Sequence, residues 1–253
     1  MNAWLELPAV AMFASLAALY LATGTALCWA IFHSPMRETI TSRNGIGGLD
    51  TTVAILFALL TGFLASDVGE RNQHAVRAVQ TEASELRNLH TLSVASVSDM
   101  QAIRAALKHY VETAITAEWP AMARQVNSPE ARAAYDALLR EVSHPDLARD
   151  SGPVVHNAMM QAATRIGVAR SERLALATDR TNTLKWVTVL ILGAMTQIAI
   201  GVMHLERRGA QIAALTVFSL AAVVTLGLIA LQEHPFDGAF RVTPAPLEDL
   251  LKL

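Results

Sequence analysis

TTVAILFALLTGFLASDVGERNQHAVRAVQTEASELRNLH, residues Thr51 to His90, decides how the chain is read. Its first 16 residues carry no charge, and from Asp67 onward acids and bases recur every few positions. Nothing between Thr51 and Leu92 obliges a helix to stop, because proline is absent and Gly69 is only a weak point. One helix, apolar at its start and polar afterwards, is the pattern of a membrane span that continues into water as a stalk. Sixteen apolar residues alone would also suit a buried core helix, since a span needs about 20.

The neighbouring segments favour the membrane. Pro8 to Phe32 gives 25 uncharged residues, enough at about 1.5 Å each to cross a hydrocarbon core of about 30 Å. A cleaved signal peptide fits this run poorly, because Met1 to Leu7 has no Lys or Arg and the run exceeds an h-region. Trp186 to Leu205 and Ala210 to Leu231 add uncharged runs of 20 and 22 residues around Glu206-Arg207-Arg208-Gly209, which reads as a helical hairpin. The expected fold class is an all-α integral membrane protein with four transmembrane helices. Residues 1–66 hold the first pair, 67–185 a helical extramembrane module with stalk helices, 186–232 the second pair and 233–253 a C-terminal tail.

Composition agrees. Charged residues make up 17% of the chain, against roughly 25% in soluble domains. Of 42 charges, 28 fall between Asp67 and Lys185, 14 of each sign. A net charge of −2 without a basic face excludes a nucleic-acid partner. The single cysteine, Cys28, excludes an intrachain disulfide and a thiolate metal cluster.

The polar block reads as helical throughout, with no alternating β-branched run. Ser98 and Gln101 fit a capping box before Ile103, Leu107, Tyr110, Val111, Ala114 and Ile115, and Pro120 is expected to close that helix. Ser128-Pro129-Glu130 supplies an N-cap, an N1 proline and an early acid for a helix ending before Pro145. From Pro153 to Leu205 no proline intervenes, so one long helix can rise into the third span, with Gly167 or Thr181-Asn182-Thr183 as bending points. On the stalk, Val68, Asn72, Ala75, Val79, Glu82, Leu86 and Leu89 form a seam at heptad spacing.

Three stretches carry a family resemblance: the second span running into Glu70–His90, the YVETAITAEWPAM segment Tyr110–Met122, and HPFDG at His234–Gly238. In this order they resemble the bacterial bestrophin-like family, with Glu82, Ala83, Leu86 and Pro235, Phe236, Gly238 as the most specific residues. True bestrophins are oligomeric ion channels, pentameric where known, with a central pore lined by the second transmembrane helix. The resemblance therefore implies a homo-oligomer in a lipid bilayer, the bacterial inner membrane, passing monovalent ions. The acidic calcium clasp of animal bestrophins has no convincing counterpart, Glu248 and Asp249 being one adjacent pair of acids rather than a cluster.

Within that plan one stripe stands out. Val53, Phe57, Leu60, Leu64, Asp67, Arg71 and His74 share one helix face, apolar in the span and polar beyond it. Repeated around an axis, Val53, Phe57, Leu60 and Leu64 would line a hydrophobic neck, with Asp67, Glu70 and Arg71 at its mouth. Equally, the apolar part packs on other helices or lipid. Glu82 on its apolar seam reads as a buried carboxylate paired with an arginine such as Arg77 or Arg87. Gln197, mid-span, reads as an interhelical hydrogen-bonding residue, and Gly193 and Gly201 as points of close helix approach.

No catalytic signature is present, and the scattered histidines lack metal-ligand spacing. No cofactor, no metal and no enzymatic activity are expected, and Gly45-Ile46-Gly47-Gly48 reads as a turn. The rival reading is a membrane-anchored sensor or scaffold with a helical ligand- or partner-binding module and no transport. Orientation is open: Arg37, Arg43, Arg207 and Arg208 place the short loops in the cytoplasm by the positive-inside rule, and bestrophin architecture implies the reverse.

Overall fold

The computed structural model describes residues 4, 7–33, 49–96, 99–179, 181–204, 208–238 and 240–253. The expectations on Arg37, Arg43, Gly45 to Gly48, Ser98, Glu206 and Arg207 lie outside these residues. Among the described residues every regular element is helical. They are α1 (Ala9–His33), α2 (Leu49–Ala95), α3 (Gln101–Thr113), a π-helical turn (Ala114–Glu118), α4 (Trp119–Ala123), α5 (Pro129–Val142), α6 (Pro145–Ser151), α7 (Pro153–Thr178), α8 (Thr183–Met203), α9 (Arg208–Leu231) and α10 (Ala245–Glu248), followed by a 3₁₀ turn (Asp249–Lys252). Four stretches are long and apolar enough to cross a membrane: Ala9–Ala30, Thr51–Ala95, Pro153–Met203 and Arg208–Leu231.

The chain forms two compact units. The first comprises Met1–Gly69 with Thr181–Glu233, and the second Glu70–Arg180 with His234–Leu253. The C-terminal tail thus belongs with the polar module rather than standing apart.

In the first unit Met12, Leu16 and Tyr20 of α1, Phe57 and Leu64 of α2, Trp186 and Val189 of α8, and Ala222, Leu226 and Ile229 of α9 make the core. Apolar side chains gain little from leaving lipid, so close packing and internal hydrogen bonds must hold such helices together. Gln197 does this at the centre: its Nε2 donates to the Tyr20 carbonyl and to Ser219 Oγ, both at 2.9 Å, and its Oε1 accepts from Thr23. Glycines provide the close approach. A Cβ on Gly193 would lie 2.1 Å from the Tyr20 hydroxyl, and one on Gly227 would lie 2.2 Å from the Phe13 ring. Gly201 is buried, and its carbonyl accepts from Gln211 Nε2 at 2.8 Å.

In the second unit Val79, Leu86 and Leu89 of α2 meet Leu107, Tyr110 and Val111 of α3, Leu138 and Val142 of α5, and Met159 and Ile166 of α7. From Ala75 onward the seam expected on the stalk is this contact, whereas Val68 packs in the first unit's core. Three expectations are corrected by local geometry. Pro120 does not close its helix: the π turn before it carries an Ala114 carbonyl to Trp119 N–H bond, and the chain stays helical to Ala123. A widened turn tolerates the missing proline N–H and the crowded ring better than a regular α turn does. The helix starting at Gln101 has Met100 at its N-cap position, and the Gln101 N–H is taken by Asp99 Oδ1 at 3.0 Å. Gly167 does not interrupt α7; its missing side chain admits Tyr135, whose hydroxyl would lie 2.1 Å from a Cβ there and donates to the Ala163 carbonyl at 3.0 Å.

The long helix expected from Pro153 to Leu205 is also interrupted. Asp179 is extended at φ −72°, ψ 140°, and Asn182 caps α8 by accepting from the Leu184 N–H at 2.9 Å. Of the sequence's own weak points, Thr181-Asn182-Thr183 is therefore the one used. Ser128 caps α5 as expected, accepting from the Ala131 N–H at 3.2 Å.

Candidate pore helix and a buried charge network

The second span is sorted by burial into two faces. Phe57 and Leu64 lie in the first unit's own core, with Phe57 against Phe218 at 5.4 Å between ring centroids. Leu60 packs beside them and Val53 is half-buried. A side chain seated between helices of its own chain does not also face a symmetry axis. The opposite face carries Ile55, Leu59, Phe63 and Ser66, all exposed, with Ile55 and Phe63 each at 62%. At 100° per residue these positions lie within about 40° of one another's mean direction, and Phe57 and Leu64 point the other way.

The three residues expected at a mouth each have their own partner. Asp67 accepts from Lys185 Nζ at 2.9 Å. Glu70 is exposed and sits 3.7 Å from His74. Arg71 is buried and donates to the Asp179 carbonyl at 3.3 Å.

The most concentrated chemistry lies in the second unit. Glu82 is fully buried, and its partner is Arg173 rather than Arg77 or Arg87. Arg173 Nε and Nη2 donate to Glu82 Oε2 and Oε1 at 2.6 and 3.0 Å, a bidentate geometry that only the planar guanidinium provides. Arg173 Nη2 also reaches Glu118 Oε2 at 2.7 Å, and Arg170 donates to both oxygens of Glu118. Tyr110 donates its hydroxyl to Glu82. The guanidinium stands over the Trp119 ring at 4.9 Å, and its Nη1 lies 3.0 Å from Met122 Sδ. Two carboxylates thus face two guanidiniums, so the cluster is neutral as a whole.

Burial opposes the charge on Arg173, but the Glu82 charge and hydrogen bonds, with Glu118, more than offset it and hold the guanidinium charged above its ordinary range. Burial pushes the Tyr110 phenol well above its usual value, and the Glu82 charge and hydrogen bond add to this. Tyr110 therefore stays a donor. The π turn places Glu118 in this cluster. The sequence offered a signal for Arg173 that periodicity alone could reveal: it falls in register with the buried face Met159, Ala162, Ala163, Ile166, Ala169 and Ala177. A base on one small apolar stripe mirrors the acid on the stalk seam.

The family motif near the C-terminus is structural in this unit. Pro235 accepts from the Val242 N–H at 2.7 Å, and Phe236 meets Trp119 edge-on at 5.8 Å. Trp119 Nε1 donates to the Val242 carbonyl at 3.3 Å. Gly238 sits at φ +82°, where a side chain would be strained, and its N–H is held by Asp237 Oδ1 at 2.8 Å. In the first unit Glu233, fully buried, accepts from the Thr181 N–H at 2.8 Å and from Trp186 Nε1 at 3.4 Å. The sequence reading gave it no role. Among the described residues no group of three or more His, Cys, Asp or Glu side chains could hold a metal ion.

No curated protein matches the sequence. Among solved structures, a crystal structure of a bacterial bestrophin homologue from Klebsiella pneumoniae carrying one substitution matches with a TM-score of 0.68 at 12% identity, over 94% of this chain and 97% of that one. Another crystal structure of a bestrophin homologue from the same organism gives 0.65 at 11% identity, over 95% and 94%. A structure described only as a membrane protein gives 0.68 at 12% identity, over 94% and 96%. At these identities the likeness shows a shared fold. The sequence itself matches the Bestrophin-like domain over residues 18–247, and the chain belongs to the bestrophin-like family.

Proposed function

We propose that this protein is an ion channel: a symmetric homo-oligomer in the bacterial inner membrane, passing monovalent ions passively along an axis lined by the second span. Family membership supports the class, and the burial pattern of α2 is the observation that carries the lining. Its exposed residues are the ones available to an axis or a neighbouring copy. The proposed neck is therefore moved from Phe57 and Leu64 to Leu59, Phe63 and Ser66, with Glu70 one turn further along the helix. Bulky apolar side chains around an axis resist wetting, because an ion there loses hydration without gaining a ligand. A pentamer is favoured by the family plan.

Purified protein in liposomes loaded with a monovalent-ion-sensitive dye tests this reading. Flux from wild type, increased by Phe63→Ala, supports it. A stable oligomer whose liposomes stay as tight as empty ones would favour a sensor or scaffold.

A further inference from the structure

A groove of about 350 Å³ lies along the first unit between α1 and α9, walled by Leu21, Gly24 and Cys28 on one side and Ile212, Leu215 and Thr216 on the other. Tyr20 and Ser219 lie at its inner end and Trp29 and Arg208 at the other. From Tyr20 to Trp29 the helix rises about 14 Å, the reach of a good part of an acyl chain.

The wall is largely apolar although its residues include four hydroxyls, of which that of Tyr20 is buried against Gly193. Thr25 donates to the Leu21 and Ala22 carbonyls, Thr216 to the Ile212 carbonyl and Ser219 to the Leu215 carbonyl, so each spends its donor on its own helix. Methyl and methylene surface is what remains, which suits hydrocarbon and offers water little. Charge appears at one end only, where Arg208 opens α9 and the exposed Trp29 lies near the end of α1. Tryptophan and arginine together at a helix end mark the level of lipid headgroups. The groove is thus largely apolar along its length and cationic at its headgroup end.

We propose that this groove binds one anionic phospholipid, an acyl chain lying between α1 and α9 and the phosphate against Arg208. The site stands whether or not the protein conducts.

Full-length protein, delipidated in detergent, is given dioleoyl phosphatidylglycerol, dioleoyl phosphatidylcholine or inorganic phosphate, and retained lipid is read by native mass spectrometry. Phosphatidylglycerol is expected to be retained about fivefold over phosphatidylcholine, the worth of one interfacial basic residue, and Arg208→Gln to abolish that preference. Thr216→Trp, which fills the groove, should lower retention of both lipids. A second readout needs no groove-filling variant: chain-brominated phosphatidylglycerol should quench a component of the fluorescence that Trp29→Phe removes. Equal retention of the two lipids, an unchanged preference in Arg208→Gln, or absence of Trp29 quenching would overturn the site. So would inorganic phosphate displacing the bound phosphatidylglycerol, which would show an anion site without a chain.

Discussion

Arg173 and Glu82, 91 residues apart in sequence, form a bidentate ion pair in which neither side chain is exposed. This pair joins α7 to the second-unit portion of α2, and Glu118 and Tyr110 complete it from the π turn and α3. Buried charge is stable only when it is matched and fully hydrogen-bonded. With Arg170, which donates to both oxygens of Glu118, the five groups meet that condition together, which makes the cluster the point where three separate stretches of chain must arrive correctly.

Arg173→Met should cost about 3–5 kcal/mol, because it strands the buried Glu82 carboxylate and leaves Glu118 with Arg170 alone. Thermal unfolding in detergent, followed by circular dichroism, checks this. Replacing Glu82 and Glu118 with Gln in the same chain should recover part of the loss, whereas an unfolding temperature unchanged by Arg173→Met alone would show that the pair adds nothing.

The Tyr110 phenol predicts an alkaline limit. Its folded value is raised above the unfolded one, first by burial and then by Glu82. A raised value means that the stabilisation is fully present below the unfolded tyrosine range, near pH 10, and is lost as pH rises beyond it. Tyr110→Phe should flatten the fall in stability above about pH 10, while lowering stability at neutral pH because Glu82 loses a donor. Urea titrations of wild type and variant between pH 7 and 11 measure both effects; parallel curves across that range would contradict the assignment.

Gly167→Ala should destabilise the second unit by about 1–3 kcal/mol, since a new Cβ meets the Tyr135 ring and must displace it. Tyr135→Phe in the same background should return part of that, as it removes the nearest atom. If Gly167→Ala left the unfolding midpoint in place, the close approach would not be a constraint.

The sequence made the spans legible because an uncharged run long enough to cross a bilayer has few other uses. The stalk seam was legible through its heptad spacing, and Gln197 because a polar group within a span needs a partner. Partner identity was not. Glu82 was recognisably buried, and Arg173 falls in register with the apolar face of α7, but that periodicity marks Arg173 as buried without saying that it meets Glu82, since pairing across 91 residues is decided by tertiary packing. The lining face of α2 is hard to read from the sequence for a related reason. Phe57 and Leu64 share an apolar stripe with periodicity that suits an axis and a protein core equally, and only the position of Phe218 on α9 places Phe57 in the core. Pro120 carried the usual stop signal, and its accommodation by a π turn has no sequence signature of its own.

Planar-bilayer recording of the purified oligomer tests the channel and its lining most directly. Wild type is expected to conduct, Leu59→Ala and Phe63→Ala to raise unitary conductance by widening the neck, and Glu70→Lys to shift the reversal potential in an asymmetric salt gradient. Phe57→Ala, a change inside the protomer core, should cost stability without that gain. A silent bilayer from an intact oligomer would contradict the channel. Conductance that follows Phe57 and Leu64 and ignores Leu59 and Phe63 would contradict the lining face.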